Sequence, residues 1–183
     1  MHPAFVFLAG RRLSAAELSA ARIDGHLVEL GDAYVPADLV EGRHTRAASV
    51  AHLVQEGAAA SGPTAAWIHG ARDAAPVRHH LSRAVPRRIR PVAHRRLVFH
   101  DSPVPPADVE QIDVIAVTTV ERTFVDLALA LHRAPALAAW LSALAVVEEG
   151  GAAAAAQRIR SLSRVPGARR AVAALDELAI RTT

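Results

Sequence analysis

The 183-residue sequence contains no Lys, no Asn and no Cys. Without Cys there is no disulfide framework, no thiolate nucleophile and no thiolate zinc site. Without Lys there is no phosphate-loop lysine, no Schiff-base chemistry, and no lysine for the usual carboxylate-based nuclease core. Long apolar runs are missing too. Phe5-Val6-Phe7-Leu8 lacks a basic leader and a cleavage site and does not read as a signal peptide. The Ala-rich stretches near the carboxy terminus are broken by charges every few residues, so nothing approaches the roughly 18 apolar residues of a membrane span. These absences predict a cytoplasmic protein with no membrane partner.

All 21 basic residues are Arg, and Ala fills 41 positions. That bias is expected of a GC-rich coding sequence and warns against treating each Arg as a functional choice. Apolar residues make up 51%, as in a globular chain with a real core. The net charge of +3 is unevenly spread. Residues 1–100 hold thirteen Arg against eight carboxylates, a balance of +5, whereas residues 101–183 hold eight against ten, a balance of −2. The amino-terminal half is the expected surface for a polyanion.

Ser14-Ala15-Ala16-Glu17 is a capping box that opens a short helix to about Arg22. Gly25 ends it, and 26–30 and 33–35 read as two strands around the turn Gly31-Asp32. A helix followed by a hairpin is the second half of a winged helix. The first half is short, since only Met1 to Leu13 precede the cap and Pro3 and Gly10 lie among them. Pro36 closes this module, residues 38–42 form a linker, and the expected division is 1–40 and 41–183.

In the second part, a helix is expected over about 45–57, with Ala48, Val50, Leu53 and Val54 on one side. Pro63 suits the first turn of another helix and Gly70 its end. Residues 77–85 and 92–100 read as adjacent strands around a turn at Pro86 to Pro91, and 112–117 as a third, central strand. Helical spacing resumes at Val120, where Phe124, Leu127, Ala128 and Leu131 recur at i, i+3, i+4 and i+7. Further helices fall at about 136–148, 152–163 and 167–180. The fold class is α+β: a partial winged-helix module, then a mixed α/β domain with a small sheet and a helical carboxy-terminal part.

Two signatures stand out. One is Gly62-Pro63-Thr64-Ala65-Ala66-Trp67-Ile68-His69-Gly70; the other is Val117-Thr118-Thr119-Val120-Glu121-Arg122-Thr123-Phe124-Val125-Asp126-Leu127-Ala128. Between them, Arg78 to His100 carries seven Arg, four His and no carboxylate. In that order, and followed by Pro166-Gly167-Ala168-Arg169-Arg170, they resemble the AbiEi family of antitoxins, over about residues 12–176. The resemblance implies a winged-helix domain paired with an α/β domain, repression of the protein's own operon, and a nucleotidyltransferase toxin as partner. No cofactor is expected.

For nucleic acid, the helix from Ser14 would enter the major groove, with Arg11, Arg12, Ser14, Ser19 and Arg22 as its polar contacts. Arg87, Arg88, Arg90, Arg95 and Arg96 would form a phosphate-binding face. The alternative is a protein-interaction module with a degenerate winged helix, which the missing leading helix and the acid in the turn, Asp32, both favour. The signature residues Gly62, Pro63, Trp67, His69, Gly70, Thr119, Arg122, Thr123 and Asp126 are read as scaffold. Arg122 and Asp126, four apart on a helix, are expected to be an ion pair fixing helix to sheet. His79 and His80 point to opposite faces of a strand and cannot share a metal, so no metal site is expected.

Overall fold

The computed structural model describes residues 5–162 and 165–181. Helix α1, Ala15–Ile23, starts at the capping box: Ser14 Oγ accepts from the Glu17 amide, and the Glu17 carboxylate accepts from the Ser14 amide at 2.7 Å. The antiparallel hairpin β1, Leu27–Leu30, and β2, Ala33–Pro36, follows. Phe7 adds a single antiparallel bridge to Tyr34 at the edge of β2. Among described residues, no α-helix precedes α1.

A five-stranded mixed sheet forms the centre of the remainder, in the order β5-β4-β3-β7-β6. Its strands are β3 Ala58–Ala60, β4 His79–Arg83, β5 Leu97–Pro103, β6 Val109–Ile112 and β7 Ile115–Thr118. Helix α2, Arg43–Val50, leads into the sheet, and α3, Gly62–Ile68, follows β3. Four helices complete the chain: α4 Val120–Ala130, α5 Ala138–Val147, α6 Gly151–Ser161 and α7 Ala168–Arg181. One core lies among these last helices, built on Phe124, Leu127, Leu141, Leu144, Ile159 and Leu175. A second joins the sheet to α2, α3 and the hairpin, with Trp67, Ile68, Ile112 and Val117 beside Leu30 and Val35.

Three expectations are corrected. The helix placed at 45–57 stops at Val50; a 3₁₀ turn covers Ala51–Leu53, and the chain then enters β3. Its inner face carries Thr45, Arg46, Ala47, Ser49 and Val50, while Ala48, Leu53 and Val54 are only half-buried. Residues 112–117 are not one strand. Asp113, with φ of 53°, breaks the run into the hairpin β6–β7, and the central strand is the alanine triplet β3. Finally, β4 and β5 are adjacent but parallel, so the segment between them is a crossing loop rather than a tight turn.

Candidate functional site

The loop from residue 84 to 96 carries the centre of the arginine tract. Arg87, Arg88, Arg90 and Arg95 are exposed there. The loop is pinned by Gln55, whose side-chain amide donates to the Arg90 carbonyl and whose oxygen accepts from the Val92 amide at 2.8 Å. Arg83 holds its start, donating to the Val85 and Pro86 carbonyls and to Asp101. Arg87 lies 3.9 Å from Glu56 and Arg88 3.8 Å from Asp101, but these pairs are largely solvated and contribute little. The loop therefore presents a backbone-fixed row of guanidinium groups to solvent.

Arg96 is used differently. It is ion-paired with Asp32, the second residue of the hairpin turn. His79 Nε2 lies 3.6 Å and His52 Nε2 3.9 Å from the same carboxylate, whose side chain is 8% exposed. Burial alone would raise the Asp32 carboxyl, but His79, Arg96 and His52 outweigh it and hold it below the ordinary range. His52 is shifted down, first by burial and then by the charges of Arg11 and His94 against the pull of Asp32.

Gly31 explains how the turn comes so close. Its φ of +60° suits a two-residue hairpin turn, and a Cβ there would stand 2.8 Å from Ser49 Oγ and 3.0 Å from Trp67 Cη2. The acid that looked out of place in a DNA-contacting wing is the turn's anchor to the sheet. Around α1, Arg11 and Arg12 are exposed, Ser19 is half-buried, Arg22 pairs with Glu29 at 3.3 Å, and Ser14 is committed to the cap.

The two signatures meet on the sheet. Pro63 and Trp67 are buried; Gly70, at φ +103°, follows the end of α3. Arg46 donates to the Trp67 and Arg72 carbonyls at 2.6 and 2.9 Å, satisfying the exit of that helix, and lies over the indole. His69 Nε2 is 2.8 Å from the Thr118 carbonyl, and Thr118 and Thr123 hydroxyls are 2.8 Å apart. The Thr119 hydroxyl accepts from the Arg122 amide and caps α4. Arg122 bridges Asp126 and Asp108, each at 2.8 Å. Arg158, from α6, reaches both Asp108 oxygens at 2.7 Å and Glu121 at 3.4 Å. Nothing in the sequence tied Asp108 or Arg158 to this network, because their partners lie 14 to 50 residues away.

Gly62 faces His80, whose amide donates to Thr64 Oγ1 at 2.8 Å. The rings of His80 and His100 stack, with Nδ1 and Nε2 3.1 Å apart. Burial, then His100, Arg78 and His79, push His80 down to about 4.

The chain is an α+β fold with an anchored amino-terminal hairpin, a pinned cationic loop and a polar network that joins helices to a sheet. Residues 58–178 match the family described as AbiEi antitoxin C-terminal domain, and the chain belongs to that family. No curated protein matches the chain. Among solved structures, the RV2827C protein from Mycobacterium tuberculosis is similar at 15% identity, with a TM-score of 0.36, over 91% of this chain and 69% of that one.

Proposed function

We propose that this protein is the non-enzymatic antitoxin of a toxin–antitoxin pair, that its partner is a nucleotidyltransferase-like toxin, and that it binds operator DNA to repress its own operon. The antitoxin part is supported by the family match over residues 58–178. The DNA part is supported by one observation above others: Arg87, Arg88, Arg90 and Arg95 stand exposed on a loop held by Gln55 and Arg83, free to meet phosphates. Exposed Arg11 and Arg12 would add phosphate contacts from the amino-terminal side, residues 1–40 acting as the helix–hairpin module and 41–183 as the antitoxin part.

One observation favours the second reading, a protein-interaction module without DNA binding. The hairpin turn that would touch DNA backbone is docked on the protein through Gly31 and Asp32. Colony survival beside the neighbouring toxin, paired with a promoter reporter, separates the readings. The antitoxin reading expects rescue by the full chain and by Arg87→Ala/Arg88→Ala/Arg90→Ala, with repression lost only in the triple variant. Rescue without repression by either protein selects the interaction module; neither rescue nor repression beside an active toxin refutes both.

A further inference from the structure

Asp32 is compensated by side chains from three segments: the 3₁₀ turn after α2, strand β4 and the entry to β5. Among described residues, none of His52, His79 and Arg96 is ion-paired with any other carboxylate. They form a cradle around one anion, with the Arg96 guanidinium as its standing charge.

The carboxylate fits that cradle incompletely. Asp32 Oδ1 is taken by the Arg96 guanidinium, whereas His79 Nε2 is buried without a hydrogen-bond partner, 3.6 Å from that oxygen and too far for a bond. An unsatisfied buried polar group costs free energy, and a larger oxyanion, with oxygens around a tetrahedral centre, would reach donors that a planar carboxylate leaves unmet. The cradle reaches solvent along Arg96, whose side chain is 39% exposed, while Asp32 and His79 lie beneath it.

The geometry points to a phosphate-binding site formed by Arg96, His79 and His52, which the protein's own Asp32 occupies until a phosphoryl oxyanion displaces it and frees the hairpin turn. Asp32 has the advantage of being tethered, so a single weak anion competes poorly. A polyanion that also engages Arg87, Arg88, Arg90 and Arg95 overcomes that advantage. The inference deepens the nucleic-acid reading and rests on it for the identity of the physiological anion alone.

Hydrogen exchange of the full chain, with inorganic pyrophosphate as probe at low salt, tests it. Pyrophosphate should speed exchange across residues 27–36 in the parent and leave Arg96→Gln, which lacks the guanidinium that would hold the anion, unchanged. Unaltered exchange in the parent, or equal pyrophosphate affinity for parent and Arg96→Gln, overturns the site. A second arm uses a duplex of arbitrary sequence. Asp32→Asn should steepen the dependence of log affinity on log salt by about 0.9, one added phosphate contact, and Arg96→Gln should cancel that gain. An unchanged slope for Asp32→Asn overturns the inference and spares the DNA reading. Pyrophosphate-driven release without any duplex binding supports the site and refutes the DNA reading alone.

Discussion

Arg158 holds both carboxylate oxygens of Asp108 at 2.7 Å, tying α6 to the segment that precedes β6. Asp108 is buried and Arg122 approaches it from a second side, so the carboxylate is fully compensated. Removing it would leave two guanidinium groups facing each other with one partner fewer.

Asp108→Ala should therefore be the most destabilising change in the network, by about 3–5 kcal/mol, because it strands partly buried charge. Asp126→Ala and Arg122→Ala should cost ~1–3 kcal/mol each. Urea denaturation ranks them. A ranking with Asp108 last would refute the assignment of Asp108 as the network's centre.

The same network sets the acid limb of stability. Burial would raise the Asp108 carboxyl, but hydrogen bonds from Arg158 and Arg122 keep it below its ordinary value. Its stabilisation is complete above the unfolded carboxylate value, about 4, and is lost as pH falls through the folded one. Asp126 is raised, by burial against Arg122, and acts in the opposite sense. Asp108→Asn should flatten the loss of stability below about pH 4, and Asp126→Asn should steepen the loss on acidification just above about pH 4. Identical acid limbs for the two variants would contradict the assigned directions.

Stability should also fall on mild acidification through His80. Its folded value of about 4 lies below the unfolded one near 6.5, so the unfolded chain binds the extra proton between those limits. Since part of the ring is exposed, the expected loss from pH 7 to 5 is about 1–2 kcal/mol, reduced in His80→Gln. Thermal melts across that range check it; equal slopes for parent and variant would sink it.

Gly31→Ala should destabilise by about 1–3 kcal/mol, since the added methyl meets Ser49 and Trp67 and the backbone is left-handed there. Unchanged melting would show that the turn is not packed as described.

Duplex affinity of Arg87→Ala/Arg88→Ala/Arg90→Ala should drop with little change in sequence preference, and its salt slope should fall by roughly 0.9 for each phosphate that is no longer neutralised. A gel-shift series in salt measures this. No effect of the triple variant would remove the loop from the interface.

What the sequence revealed followed the range of the interactions. The capping box at Ser14 and Glu17, and the spacing of Phe124, Leu127 and Leu131 on α4, are local and were readable. Strand β3 was not. Ala58-Ala59-Ala60 has low strand propensity and no alternation, and it is a strand because neighbours pair with both its edges. Residues 112–117 read as one apolar run, and only the positive φ of Asp113 reveals the turn inside it. At the site, exposed arginines of one loop were legible as a charge run, while the meeting of Asp32 with Arg96 depends on a fold that brings residues 64 apart in sequence into contact.

The anchoring of Gly31 and Asp32 also changes what residues 37–42 do. A stretch rich in small and acidic residues between two modules would ordinarily be a hinge, with its length setting how far the modules wander. Here Val35 on one side and Ala47 on the other belong to the same core, and Glu41 pairs with Arg46. Both ends of the segment are fixed by packing, so its length governs closure entropy, which changes slowly with added residues, and leaves the distance between α1 and the arginine loop unaltered. The spacing offered to a nucleic acid is thus a property of the core, insensitive to the connection that spans it.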